Sequence, residues 1–300
     1  MRAAGEPAPQ PVRITVAEQT APATLRFAKP GVGEYRARLG KPRLPLTAPA
    51  ASLLKIGAPA TAQVPRTGLR LWLRADKGVI VTDGRVSQWQ DQSDNGYHAV
   101  AEDAVRPLLV KDALHLGLPA IRFDGQRTQL TGKKGLGMDM PGPFTLVVVA
   151  TLNGGWPKAI FSLVPADRGP DFVSPKGFAL ACGHGSPPRF ALTQGYQGIG
   201  LDLLIDNEQG KPQTVAMIRP VRMGEWVAGY RNGLLKAQAA VTDDEPGQQQ
   251  DTGYLIGSRW PPRSDLFGAN DLYEILVYDR VLSGAELQSL HQYLLAPRAP

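Results

Sequence analysis

The stretch R-V-S-Q-W-Q-D-Q-S-D-N-G-Y-H-A-V-A-E, residues 85–102, admits two readings, and the fold depends on which one holds. From Asp91 onward it has the oxygen spacing of a calcium loop: Asp91, Ser93, Asn95, Gly96, and Glu102 at the twelfth position. Such a loop needs a helix on each side. Arg85 to Gln90 reads instead as a strand. The eighth loop position, where paired loops carry an aliphatic residue, is His98, and the chain offers no second loop to pair with. Asp and Asn ahead of Gly are also what a tight turn requires, because their side chains bond the backbone two residues on. The stretch therefore predicts a turn after an early strand. A weaker expectation stays beside it: Asp91, Ser93 and Asn95 put oxygens on one turn and could hold an isolated calcium ion. No other cofactor is called for.

Outward from that strand the pattern repeats. Leu69 to Arg74 alternates apolar and basic residues. Ala120 to Phe123 is followed by the turn dipeptide Asp124-Gly125. Phe144 to Ala150 (F-T-L-V-V-V-A) is a continuous apolar run, suited to the middle of a packed sheet. Further strands are expected at Ala159 to Val164, Gly177 to Ala181, Arg189 to Leu192, Thr214 to Ile218, Gly253 to Gly257 and Leu272 to Tyr278. Glu225 to Tyr230 and Leu234 to Val241 flank Asn232-Gly233, a strong hairpin signal. Many short strands separated by turn signals predict an all-β antiparallel sandwich. One helix closes the chain. Ser283 to Glu286 has the capping-box pattern, and Leu287, Leu290 and Leu294 then recur on one face.

Charge divides the chain at about residue 66. Residues 1–66 hold ten Lys/Arg, three Glu and ten prolines, while residues 67–300 are nearly neutral with 23 bases and 24 acids. With only Phe27 and Tyr35 as aromatics, the first segment lacks the apolar surface to fold alone. It predicts an extended, basic, Pro-rich arm, and residues 67–300 a sandwich. An acidic partner surface within an assembly would be met by Arg26, Phe27, Arg36, Arg38, Arg43, Leu53 and Leu54. Nucleic acid ranks below this, since no aromatics interleave with the bases for stacking. The N-terminus lacks the apolar stretch of a secretory signal. No apolar run approaches the ~20 residues of a membrane span.

These segments together suggest a family. Leu71-Trp72-Leu73-Arg74-Ala75-Asp76, then Val86 to Gly96, Pro119 to Gly125, Phe144 to Val149, Tyr230-Arg231-Asn232-Gly233 and Glu274 to Ser283 resemble, in order and spacing, the laminin-G-like branch of the concanavalin A-like lectin/glucanase superfamily. The likeness covers about residues 68–296. It implies a jelly-roll of two stacked sheets, used in adhesins, surface proteins and bacteriophage structural proteins for recognition or scaffolding, usually without catalysis.

Catalytic patterns are sparse. Glucanases of that superfamily carry an E-x-D-x-x-E strand, which sets two carboxylates on one face. No such segment occurs. Asp243-Asp244-Glu245 precedes a Pro-Gly turn, and Asp271 and Glu274, three apart on a strand, are expected on opposite faces. The four histidines are scattered, and the single cysteine, Cys182, ends an apolar strand and reads as a buried thiol. The expectation is a non-catalytic module that binds glycan or a protein partner, with the arm docked on an assembly at a virion or cell surface. The alternative is a secreted carbohydrate-active enzyme, hydrolase or lyase, or its binding module. Trp156, Tyr196 and Trp260 sit in Gly/Pro surroundings and are the candidate rings for stacking on a sugar; Trp72, Trp89 and Trp226 lie in strand patterns and are expected in the core.

Overall fold

All nine residues of the strand Phe144–Leu152 are buried. This fits a strand covered on both faces, and the rest of the architecture follows from it. The computed structural model describes residues 24–29, 32–38, 62–111, 117–140, 142–153, 158–164, 179–182, 189–196, 199–220, 226–240, 249–250, 252–262 and 266–296. Phe144–Leu152 lies in an eight-stranded antiparallel sheet between Gln213–Arg219 and Asn270–Tyr278. Trp226–Arg231 and Leu234–Ala240 extend that sheet on one side. On the other, Asn270–Tyr278 pairs with Leu69–Arg74 along its C-terminal part and with Pro119–Arg122 at its start, and Leu108–Lys111 forms the edge. The second sheet has nine strands, in the order Ile199–Asp206, Arg189–Tyr196, Ala179–Cys182, Lys158–Val164, Gly253–Ile256, Leu130–Gly132, Ala99–Val100, Arg85–Trp89 and Val79–Thr82.

The inner faces of the two sheets share one core. Leu146, Val148, Ala150 and Ile275 meet Trp89, Phe161, Phe190 and Tyr254 there. A second apolar layer lies on the other face of the eight-stranded sheet, where Val147, Val149, Leu276 and Tyr278 are covered by Leu290 and Leu294 of the helix Gly284–Leu295. Two covered faces explain why F-T-L-V-V-V-A shows no polar alternation. The capping box is formed as expected: Glu286 N–H donates to Ser283 Oγ at 3.3 Å and Ser283 N–H to Glu286 Oε2 at 2.8 Å. Among the described residues, no helix is long and apolar enough to cross a membrane.

The hairpin at Asn232-Gly233 is present, with both residues at positive φ (50° and 76°). Asp83-Gly84 makes the same kind of turn (51° and 75°) between Val79–Thr82 and Arg85–Trp89, an Asp-Gly signal that the strand pattern alone does not single out. Trp72 and Trp89 are buried, whereas Trp226 is only half-buried.

Two observations bear on the N-terminal expectations. Contacts divide the chain into Met1–Thr47 and Ala48–Pro300. Within the first unit, Thr24–Lys29 and Val32–Arg38 form an antiparallel hairpin, with Arg26 opposite Arg36 and Phe27 opposite Tyr35, where an extended arm was expected. The Pro30-Gly31 dipeptide between the strands is a turn signal that charge and proline counting overlooks. Arg43, Leu53 and Leu54 lie outside the described residues. The boundary at 66 also moves. Gln63 bonds Ser289 of the helix through both backbone groups, Val64 packs into the outer layer, and the Arg66 guanidinium lies 4.6 Å from the Trp72 ring centre. Residues 63–66 therefore belong to the sandwich.

Candidate functional site

The Asp91 turn is built around one buried carboxylate. Asp91 Oδ1 accepts from the backbone N–H groups of Trp72 (2.9 Å) and Ser93 (2.9 Å), and Oδ2 from Ser93 Oγ (2.7 Å) and Tyr97 N–H (3.0 Å). Asn95 Nδ2 donates to the carbonyls of Leu69 and Arg70. His98 Nδ1 closes the turn by accepting from Asp91 N–H at 3.1 Å. Asp91, Ser93 and Asn95 thus come together, as the spacing predicts. Their polar groups tie the turn to the strand Leu69–Arg74, and N–H and O–H donors occupy both Asp91 oxygens. Among the described residues, no group of three or more His, Cys, Asp or Glu gathers closely enough to hold a metal ion.

Trp156 lies outside the described residues. Tyr196 is the last residue of the strand Arg189–Tyr196, paired with Ile199, rather than a loop residue. Trp260 is half-buried beside the nine-stranded sheet, where its N–H donates to Ser162 Oγ at 3.2 Å.

The pair Asp271 and Glu274 departs from expectation. Val149 pairs with Glu274 but Ala150 with Leu272, so Tyr273 is an extra residue in its strand. That bulge shifts the alternation by one and brings both carboxylates to the helix-covered side. Each is consumed there. Asp271 takes a bidentate bond from Arg122 (2.7 and 2.8 Å), and Glu274 accepts from Trp72 Nε1 at 2.6 Å.

A cleft that the sequence did not signal opens where the chain crosses from one sheet to the other after Pro119–Arg122. It encloses about 520 Å³ and is lined by Arg85, Leu108, Arg122, Phe123, Asp124, Thr128 and Asn153. The Asp124 loop forms part of its lining. Asp124 Oδ1 accepts from the N–H groups of Gln126 (2.8 Å), Arg127 (2.9 Å) and Thr128 (3.0 Å) and from Thr128 Oγ1 (2.9 Å). Gly125 permits this wrap: its φ is +71°, and an added Cβ would come within 2.9 Å of Ala269 Cβ. Burial pulls the Asp124 carboxyl upward, but the three N–H groups and the hydroxyl outweigh it and hold the pKa at about 2. Asp124 is therefore ionised at neutral pH. Its second oxygen, Oδ2, accepts no hydrogen bond among the described residues.

The other walls are equally fixed. Arg122 is aimed by its ion pair with Asp271, 149 residues away in the chain. Arg85 follows the Asp83-Gly84 turn, and its Nη1 donates to the Arg106 carbonyl at 3.1 Å. Leu108 is 38% exposed and supplies an apolar wall. The lining therefore combines Asp124 with Arg85, Arg122, Asn153 and the apolar Leu108.

No protein-family model matches the chain, and no curated protein does. Solved structures do match. A Trypanosoma rangeli sialidase in complex with sialic acid superposes with a TM-score of 0.50 at 16% identity, over 77% of this chain and 33% of that one. The ligand-binding domain of botulinum neurotoxin serotype D in complex with N-acetylneuraminic acid gives 0.54 at 10% identity, over 75% and 51%. The binding domain of botulinum neurotoxin DC with a sialyl ligand gives 0.51 at 12%, over 77% and 52%. The likeness is one of fold. The chain spans about a third of the sialidase and about half of the toxin domains. These matches fit the jelly-roll sandwich that the resemblance implies.

Proposed function

We propose that the sandwich is a non-catalytic glycan-recognition module of the laminin-G-like kind, and that its sugar sits in the Asp124 cleft. One observation carries the reading: the Asp124 carboxylate, held ionised by its own loop with Oδ2 outside the loop's hydrogen bonds, lines a cleft together with Arg85, Arg122 and Asn153. Carboxylate and guanidinium or amide pairs are what adjacent sugar hydroxyls require, as acceptor and donors, and Leu108 offers the C–H face an apolar contact. The glycan ligands of the sialidase and toxin domains are in keeping with it. Among the described residues Asp124 is the one carboxylate lining the cleft, short of the carboxyl pair that most glycoside hydrolases use. In this reading the basic N-terminal segment docks the module on an assembly, as a surface or virion decoration.

The test is a glycan array probed with the full chain, followed by titration of any hit. Asp124→Asn keeps the Oδ1 acceptor of the loop and replaces the open oxygen with a donor, so binding should weaken about tenfold or more, the equivalent of one good hydrogen bond. Trp260→Ala should leave it unchanged. The reverse result would move the site to the Trp260 ring, and failure to bind any glycan would leave scaffolding as the better account.

A further inference from the structure

The strand Val79–Thr82 is the last of the nine-stranded sheet. On its paired side, the Gly78 carbonyl accepts from Gln90 N–H at 2.8 Å and the Ile80 carbonyl from Ser87 Oγ at 3.2 Å. Carbonyls two residues apart in a strand point the same way, so the N–H and C=O groups of Val79 and Val81 point off the sheet. Val86, which sits opposite Val81, agrees: its N–H goes to the Pro107 carbonyl at 2.8 Å and not across to the edge strand. Ile80 pairs with Gln88 and Val81 with Val86, so the extra residue is Ser87 and the edge strand itself stays regular. Edge strands are commonly blunted by proline, an internal charge or a bulge of their own. This one has none of these between Val79 and Thr82, and exposes Ile80 (42%) and Val81 (44%) side by side.

The flanks identify the occupant. Lys77 and Asp83, both exposed, stand at equal distances on either side of Ile80. We propose that this edge is a self-association surface, on which two copies of the chain pair antiparallel about a two-fold axis through Ile80. In that register Ile80 meets Ile80, and Val79 of each copy meets Val81 of the other and exchanges both backbone hydrogen bonds. Lys77 and Asp83 lie in the turns just outside the strand, at opposite ends of it, so at each end of the pair the Lys77 side chain of one copy is near the Asp83 side chain of the other. The strand is thus its own antiparallel partner, and the charges at its two ends are of opposite sign. A slip of one residue breaks both charge pairs and turns each strand's backbone donors toward the wrong partner. The contact is isologous, so it closes on two copies and leaves no further edge from this strand. This inference is independent of the glycan reading.

Cysteine placement tests the register on the full chain in a Cys182→Ser background. Residues facing each other at a non-hydrogen-bonded antiparallel position have Cα atoms about 4.5 Å apart, within disulfide range. Ile80→Cys should form a cross-linked dimer under mild oxidation, whereas Thr82→Cys, which faces Gly78 of the other copy, should not. Sedimentation velocity of the unmodified chain should show a dimer that dissociates on dilution. Ile80→Lys should be monomeric at every concentration, with unchanged circular dichroism. Lys77→Glu and Asp83→Lys should each lose the dimer alone, and an equimolar mixture of the two should restore it, because only the mixed pair has opposite charges at both ends. A monomeric unmodified chain across the concentration series, an Ile80→Lys variant that still dimerises, or equal cross-linking at Thr82 would each overturn the proposal.

Discussion

Glu286 joins the helix start to the sheet, and replacing it with Gln should expose how much that junction is worth and at which pH. Its carboxylate takes two bonds from Arg280 (3.0 and 2.5 Å) and two from Ser283 (2.8 and 2.9 Å). The Arg280 guanidinium, with the Ser283 amide and hydroxyl, outweighs partial burial and holds the Glu286 pKa at about 2 against an ordinary 4.5. Taken at face value, such a shift is worth about 3.4 kcal/mol at about 1.36 kcal/mol per unit. The side chain is 33% exposed, so solvent screening reduces the figure to roughly 1–2 kcal/mol. The sign follows from the depressed folded pKa: the stabilisation is complete above the unfolded pKa and is lost as pH falls toward the folded one. Gln keeps the acceptor for the Ser283 amide and loses the charge. Urea unfolding at pH 7 should place Glu286→Gln roughly 1–2 kcal/mol below the unmodified chain. About a quarter of that gap should be gone at pH 4 and more than half at pH 3. Asp124, which also titrates low, is common to both chains and cancels. A gap that stays constant from pH 7 to pH 3 would falsify the assignment of the stabilisation to the ion pair.

Two further outcomes test the sandwich and its first turn. Trp72→Phe removes the donor to Glu274, which is 1% exposed, and replaces the indole between Arg66 and Arg74; chemical denaturation should show a loss of about 2–3 kcal/mol. Asp91→Ala removes the acceptor for four donors, at a cost of about 3 kcal/mol. Thermal unfolding should show that loss to be the same in calcium and in chelator. A calcium-dependent rise in Tm that Asp91→Ala abolishes would instead establish a metal site at Asp91, Ser93 and Asn95.

Much of the fold was legible because its signals are local. Alternation marked Leu69–Arg74, the unbroken run of Phe144–Leu152 marked a strand covered twice, Asn232-Gly233 marked a hairpin, and Ser283 with Glu286 marked a helix start. Several strands that escaped notice are short or half-exposed, such as Val79–Thr82 and Leu108–Lys111, where little burial imposes a pattern. The predicted separation of Asp271 and Glu274 failed because a bulge is a property of two strands in register, and one strand alone does not display it.

The sequence by itself determined that the chain folds as an antiparallel sandwich closed by a capped helix, and that the Asp91 stretch is a turn after a strand. Backbone conformation and side-chain periodicity act within a few residues, and a sequence displays them directly. Tertiary structure alone decided the cleft. Arg85, Arg122, Asp124 and Asn153 meet only because sheet pairing brings distant segments together, with Arg122 aimed by a partner 149 residues away and Asp124 held by its own folded loop. It also decided that Val79–Thr82 is the last strand of its sheet, since a strand becomes an edge only through its place in the strand order.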